Sequence, residues 1–210
     1  MRIRLTRTSL LLVAVCGIPL VFAGCFSKQP KEYRPSKEAL DLNNRAVQCL
    51  AENQLAKALD LVNQAIQADP GFYKAQSNKA AIFSAMDNKA KAVETLQELL
   101  SKKPEYAEAY VPLALLFEKM GRKNEAPVYY QKAVELYDIR LAANATDYDA
   151  AMDRALALFL LGQTREAGDA LDKVLAKDPH NTLATVMKPR FQSGDRNAFM
   201  TPLSVPSSPK

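Results

Sequence analysis

The stretch that decides the fold is AYVPLALLFEKMGRKNEA, residues 109–126. It places Ala114 and Ala126 on either side of Gly121. The same pair of alanines recurs twice at earlier positions with one constant spacing, as Ala80 with Ala92 and as Ala46 with Ala58. A fixed period of about 34 residues, with small residues at fixed positions, is typical of stacked helical repeats. The sequence therefore predicts an all-α fold built from repeated pairs of helices.

A fourth copy of this pattern follows, with seven additional residues before it. Ala155 and Ala167 form its pair of alanines, at a longer step from Ala114 and Ala126 than the period of the first three copies. A proline follows three of the four copies at the same position, at Pro70, Pro104 and Pro179. Because proline cannot continue a helix, these prolines predict the end of each second helix. The third copy has Asp138 at this position and lacks that stop.

The repeated alanines predict where helices cross. Only a small side chain fits where the axes of two antiparallel helices approach closely. Larger apolar side chains are expected to fill the space between units, namely Phe83, Phe117, Leu158, Val62, Leu96, Tyr130 and Leu171. Gly121 and Gly162 indicate turns, since a helix often ends at a residue with positive φ. The predicted helix pairs are 37–52 with 55–68, 73–86 with 89–102, 107–120 with 123–143, and 148–161 with 164–177.

The repeated stretches resemble the tetratricopeptide repeat (TPR). AKALDLVNQAIQADP (56–70) and REAGDALDKVLAKDP (165–179) are similar to its second helix, and residues 109–126 to its first helix and turn. The resemblance covers residues 39–181 and implies a helix-turn-helix solenoid of about four units. The sequence departs from the family where a tryptophan is usual, with Leu42, Gln76, Tyr110 and Ala151 at that place. An alanine-rich bundle without true repeats is the alternative, but it does not predict the shared offsets.

Two features modify the regular pattern at its C-terminal side. The additional residues 141–147 continue the helical spacing of apolar residues, which lengthens helix 123–143 by about two turns. That lengthened end is either a docking feature or an inert variation in length. Residues 182–191 predict a short capping helix, with Pro189 where a small alanine would stand. The predicted repeat domain with its cap is 37–192, and the Pro- and Ser-rich residues 193–210 predict a disordered tail.

The N-terminal residues 1–24 have the pattern of a secretory leader. Three arginines in MRIRLTR precede the uncharged stretch 8–24. VFAGC, residues 21–25, resembles the lipobox of bacterial lipoproteins, although Phe22 replaces the usual leucine. This resemblance implies a signal peptide over 1–24 and lipid attachment at Cys25. The alternative is an uncleaved membrane-spanning anchor, against which Gly17 and Pro19 argue.

The residues after Cys25 predict a place in the cell. Residues 25–36 are mostly polar and read as a flexible tether between lipid and fold. Phe26 stands where an aspartate favours retention in the inner membrane of enteric-type bacteria. The lipoprotein resemblance therefore implies the bacterial cell envelope, with the outer membrane facing the periplasm as the expected location.

Composition and side-chain chemistry argue against an enzyme. Without the three leader arginines the formal net charge falls from +5 to +2, which gives no case for nucleic acid. The single histidine, His180, has no cysteine cluster around it, so no metal site and no cofactor are predicted. No Gly-rich phosphate loop is present in the sequence. Cys49 occupies the position of Phe83 and Phe117, which predicts a small buried hydrophobic residue.

The family resemblance implies a groove, lined by the first helices, that binds an extended or helical peptide. The expected groove residues are Asn43, Val47, Leu50, Ser77, Asn78, Ala81, Ser84, Val111, Leu115, Glu118, Met152, Leu156 and Phe159. Leu40, Lys74, Glu108 and Asp149 are expected beside them. The apolar stripe Met152, Leu156 and Phe159 is either a partner site or packing for the end helix. Repeats that bind the C-terminal carboxylate of chaperones use lysines, asparagines and an arginine, and of the matching places only Asn78 keeps such a residue.

These observations lead to one expected function and two alternatives. We expect a membrane-anchored, non-catalytic adaptor or assembly scaffold that binds a protein or peptide partner in its groove. Resemblance to outer-membrane repeat lipoproteins implies service to pilus, secretion or cell-envelope complexes. The alternatives are a self-assembling structural repeat protein, in which the chain forms a homo-oligomer, and a repeat protein held by an uncleaved N-terminal anchor.

Overall fold

The computed structural model describes residues 33–196, and in this range the fold is all-helical. The helices are α1 (Lys37–Ala51), α2 (Leu55–Ala68), α3 (Tyr73–Ala85), α4 (Lys89–Lys102), α5 (Tyr110–Lys119), α6 (Ala126–Ala143), α7 (Tyr148–Leu160), α8 (Thr164–Lys177) and α9 (Thr182–Ser193). A 3-10 turn, Ala107–Ala109, precedes α5. The pairs α1–α2, α3–α4, α5–α6 and α7–α8 pack as hairpins, and each hairpin contacts the next. The predicted solenoid of four units with a cap is confirmed.

The crossing points of the helices are occupied by the repeated alanines. Each of the eight is at most 1% exposed. The apolar side chains expected between units are buried as well, except Phe83, which is half-buried. Cys49 is buried as a free thiol among apolar residues of the first unit. The constant period of the alanines therefore reports the packing of the helices and not composition alone.

The turns inside the units share one backbone conformation. Gly121 and Gly162 have φ of +79° and +86°, as the sequence predicts. Asn53 and Asp87 occupy the same position in the first two units, with φ of +57° and +58°. Asparagine and aspartate visit this left-handed region more readily than other residues with a Cβ. The turn is thus the same in all four units although its residue changes.

The third unit differs from the predicted helix bounds. The first helix, expected as 107–120, begins with the 3-10 turn and becomes α-helical only at Tyr110. The second helix, expected from 123, begins at Ala126. Pro127 explains this shift, since it has no N–H to donate and is tolerated only in the first turn of a helix. The C-terminal end at Ala143 is the predicted bound, but of the additional residues 141–147 only 141–143 are helical, and 144–147 form the turn before α7.

The capping helix α9 covers the last unit. The Phe191 ring stacks on Phe159 with centroids 4.6 Å apart. Pro189 lies inside α9 and is exposed. No second helix crosses α9 within residues 33–196, so this position does not need a small residue.

The predicted borders of the folded part shift slightly. Ser36, assigned to the tether, caps α1: its side chain accepts from the Ala39 N–H, and its own N–H donates to Asp69. Arg196, assigned to the tail, forms an ion pair with Glu118. The signal peptide, Cys25, most of the tether and the tail from residue 197 lie outside the described residues. Within 33–196, no helix has the length and apolar character needed to span a membrane.

Candidate partner-binding groove

The first helices of the units line two adjoining depressions. The apolar pocket has a volume of about 770 Å³ and is walled mainly by the C-terminal halves of α1, α3 and α5. Its lining residues are Leu50, Ala51, Asn53, Leu55, Ala80, Ala81, Ser84, Ala85, Leu96, Pro112, Leu115, Leu116 and Lys119. On α3, the side chains facing this space are small, whereas leucines face it from α1 and α5. The depression exists because the middle helix contributes little volume.

The polar pocket has a volume of about 440 Å³ and lies at the N-terminal ends of α3 and α7, the 3-10 turn and the end of α6. It is lined by Lys74, Ser77, Asn78, Tyr106, Glu108, Arg140, Asp149, Met152, Asp153 and Leu183. Three acidic and two basic side chains face this space. The polar pocket therefore carries a small excess of negative charge.

Arg140 joins three elements at the polar pocket. It lies near the end of the lengthened α6, and its Nη1 donates to Glu108 Oε1 at 2.7 Å. Its Nε and Nη2 donate to the two carboxylate oxygens of Asp147, at 2.6 and 3.3 Å. Asp147 in turn accepts from the Ala150 N–H and caps α7. Without the additional turns of α6, this guanidinium would not reach the third-to-fourth unit junction.

The charges of this junction shift two carboxyl pKa values in opposite directions. Burial alone would raise the pKa of Asp147, but the Ala150 N–H and the Arg140 guanidinium together lower it. Burial raises the pKa of Asp153, and the Glu108 and Asp149 charges raise it further. The Tyr137 hydroxyl donates to Asp153 Oδ2 at 3.1 Å and opposes that rise. Asp153 is thus harder to ionise than an ordinary aspartate.

Three family models match this chain, each described as a tetratricopeptide repeat, over residues 50–111, 107–138 and 149–181. Together they span more than half of the chain; the first match runs from the end of α1 to the start of α5, and the other two cover the third and fourth hairpins. The chain belongs to the tetratricopeptide repeat family. The TPR fold is typically a non-catalytic module for protein interaction, and these matches indicate no enzyme family. No curated protein sequence shows significant similarity to this chain.

Solved TPR structures are among the proteins to which this chain is similar. A TPR protein from Thermus thermophilus superposes with a TM-score of 0.50 at 20% identity, over 74% of this chain and 78% of that chain. The Sgt2 TPR domain from Aspergillus fumigatus superposes with a TM-score of 0.46 at 29% identity, over 51% of this chain and 72% of that chain. YrrB, described as a TPR protein with an unusual peptide-binding site, superposes with a TM-score of 0.41 at 21% identity, over 77% of this chain and 82% of that chain.

The TPR groove brings together seven of the predicted residues. Leu50, Ala81, Ser84 and Leu115 line the apolar pocket, and Ser77, Asn78 and Met152 line the polar one. Leu156 is half-buried and Val47 is exposed, and neither lines a pocket. Of the residues expected beside the groove, Lys74, Glu108 and Asp149 line the polar pocket, while Leu40 is exposed on α1.

Four predicted groove side chains are buried within the monomer, and of these only Met152 borders a pocket. Asn43 is 2% exposed because the next unit covers it, and Asn78 Nδ2 donates to its Oδ1 at 2.7 Å. Val111 and Met152 are covered in the same way at later junctions, at 8% and 3% exposure. Phe159 packs under Phe191, so the end of the apolar stripe serves the capping helix.

The Glu118 carboxylate already has hydrogen-bond partners within the chain. It accepts from the Tyr130 hydroxyl at 3.2 Å and from Arg196 Nη2 at 2.7 Å, and only 15% of its side chain is exposed. Glu108 is likewise paired, with Arg140. Because the Asn78 amide donates to Asn43, the described groove offers no free set of donors that would clamp a C-terminal carboxylate.

Sequence reasoning missed Tyr106, Arg140 and Asp153 in the polar pocket. Asp149 and Asp153 are four residues apart on α7, which signals a shared helix face. Arg140 belongs to a second helix and reaches the groove only because α6 is long. His180 is exposed in the turn before α9. Among the residues described, no cluster of histidine, cysteine or acidic side chains could hold a metal ion.

Proposed function

We propose that this TPR protein is a membrane-anchored, non-catalytic adaptor that holds a protein partner in the groove of its first helices. The observation that carries this proposal is the apolar pocket beside the acidic polar pocket on one face of the repeat domain. An apolar side chain of a partner fits the first, and a basic side chain or amine fits the second. Membrane attachment is proposed from the lipobox-like VFAGC and Cys25, with the bacterial envelope, at the periplasmic face of the outer membrane, as its place.

The proposal that the groove binds a partner is tested by placing a large side chain in the apolar pocket. Ala81 is exposed at the apolar pocket, so Ala81→Arg adds a long side chain there without disturbing the core. Ala90→Arg makes the same change at an exposed position of α4, outside both pockets. Envelope proteins retained by the immobilised wild type and by Ala90→Arg, but lost from Ala81→Arg, would identify groove partners. Identical retention by all three would refute the groove as the binding site.

The anchor is tested separately. Cys25→Ser is expected to release the chain into the soluble fraction or to block removal of the leader. If the variant still fractionates as an integral protein after alkaline washing, the uncleaved-anchor alternative applies instead. Service to pilus, secretion or other envelope assemblies would follow from the identity of the captured partner.

Self-assembly is the second candidate function, and exposed apolar residues at the ends of the repeat domain favour it. Leu183 and Val186 are 47% and 40% exposed on α9, and Leu40 and Val47 are each 43% exposed on α1. Light scattering distinguishes it from a monomeric adaptor, since an assembly grows with concentration and Val186→Glu would abolish that growth.

A further inference from the structure

After α9 the described end of the chain returns to α5, a helix that contributes to the apolar pocket. α9 ends at Ser193, and Gly194 with φ of +67° turns the backbone. Two residues later, Arg196 reaches back past α7 to Glu118 near the end of α5. Glu118 is adjacent in sequence to Lys119 and one helical turn from Leu115, and both of these line the apolar pocket. The last described residue is therefore held against α5, the helix whose other side chains form one wall of the apolar pocket.

The ion pair between Arg196 and Glu118 fixes the end of the described chain. Glu118 is largely shielded from solvent and already accepts from the Tyr130 hydroxyl. A charge-assisted hydrogen bond to such a carboxylate is stronger than an exposed ion pair. The 2.7 Å contact spans 78 residues of sequence, so it fixes the chain end relative to α5 and not to its own helix.

The sequence that follows matches the pocket in chemistry. From Asn197 to Pro209 it contains no charged residue, and its apolar residues are concentrated in 198–205, AFMTPLSV. Phe199 is three residues beyond Arg196, which an extended chain spans in about 10 Å. The apolar pocket, at about 770 Å³, is of the size that binds several apolar groups.

We propose that residues 198–205 occupy the apolar pocket of the same molecule, so that a partner must displace them to enter the groove. This inference rests on the proposed function, because a segment that occupies the groove regulates binding only if the groove binds a partner. A segment tethered by two or three residues has an effective concentration in the millimolar range. The segment therefore competes with any partner of moderate affinity.

The test uses the full-length chain in detergent and a single fluorescent reporter. The sequence contains no tryptophan, so Phe199→Trp introduces the only indole. We expect its emission to be blue-shifted and its quenching by acrylamide to be weaker than that of Ser208→Trp, a control three residues beyond the proposed segment. Adding Ala81→Arg should abolish the protection of the Phe199→Trp indole, and adding Ala90→Arg should leave it unchanged.

Two results would overturn the proposal. One is equal quenching of the Phe199→Trp and Ser208→Trp proteins, or protection that Ala81→Arg does not affect. The other is protection that disappears on dilution, which would place the segment in the groove of a second copy. The measurement involves no partner. Partner capture that still depends on Ala81 would therefore leave the proposed function intact if this inference fails.

Discussion

Gly121 and Gly168 differ in backbone conformation, although a Cβ at either would meet no atom within 4 Å. Gly121 has φ of +79°, whereas Gly168 lies inside α8 without a positive φ. Gly121→Ala is therefore expected to destabilise the domain by about 1–2 kcal/mol. Gly168→Ala is expected to stabilise it by up to about 1 kcal/mol. Urea denaturation measures both, and a change of the same sign in both variants would contradict the assignment of the turn.

Ala80 and Ala81 are neighbours on α3 with opposite surroundings. Ala80 is 1% exposed at the helix crossing, and Ala81 is exposed to the groove. Ala80→Leu should destabilise the domain by about 1–3 kcal/mol because the crossing has no room for it. Ala81→Leu, measured in the same denaturation series, should have an effect near zero. Equal effects at the two positions would argue against a close crossing.

Much of this residue-scale detail is present in the sequence. The alanines are predictable because their offsets repeat, and Gly121 because glycine suits positive φ. Asn53 and Asp87 were not identified as turn residues, since asparagine and aspartate also occur freely on helix surfaces. Asn43 was expected in the groove, and its burial depends on contact with Asn78 in the next unit.

At the scale of elements, the α6–α7 junction predicts a dependence of stability on pH. The pKa of Asp153 is raised in the folded state, mainly by burial, above its ordinary value of about 3.9. As pH rises from that value through the raised one, the unfolded state ionises first, so the contribution of Asp153 to stability is lost. At neutral pH this aspartate therefore opposes folding.

Asp153→Asn should remove this cost while keeping an acceptor for Tyr137. We expect the variant to be more stable than the wild type at pH 7 and to lose this advantage below the ordinary pKa. Thermal unfolding from about pH 3, below the ordinary carboxyl pKa, to about pH 7 measures the difference. Asp60→Asn, at an exposed position of α2, is the matched control. A stability difference independent of pH would contradict the assignment.

The bounds of the elements were partly predictable. The prolines after α2, α4 and α8 mark their ends, and the apolar spacing reveals the length of α6. The start of α6 was placed three residues too early because helical spacing outweighed the restriction that Pro127 imposes. The role of Arg140 could not be derived, since it depends on where the lengthened helix points.

At the scale of the whole molecule, the main packing is between neighbouring units, so a local loss should remain largely local. Phe191→Ala removes the ring stacked on Phe159 and should cost about 3–5 kcal/mol. Hydrogen exchange is then expected to accelerate in α7–α9 and to change little in α1–α4. Val186→Ala, at a position 40% exposed on the same helix, should have little effect. Uniform acceleration throughout would indicate a single cooperative unit.

The overall architecture followed from the sequence more completely than the groove did. The constant period of the alanine pairs dictates stacked hairpins, whatever occupies their surface. The two pockets depend on which small side chains of α3 face the leucines of α1 and α5, and on ion pairs between distant residues such as Glu118 and Arg196. Such contacts produce no periodic pattern in the sequence.

The hydrogen bond between Asn43 and Asn78 has a consequence for how this array can change. It joins the first and second hairpins through a donor on Asn78 and an acceptor on the buried Asn43. Inserting at that boundary a hairpin with no polar side chain at the matching position would strand the Asn43 amide, at about 1–3 kcal/mol. A duplicated first hairpin would avoid this cost, since Asn44 stands one repeat period before Asn78 and supplies the same donor.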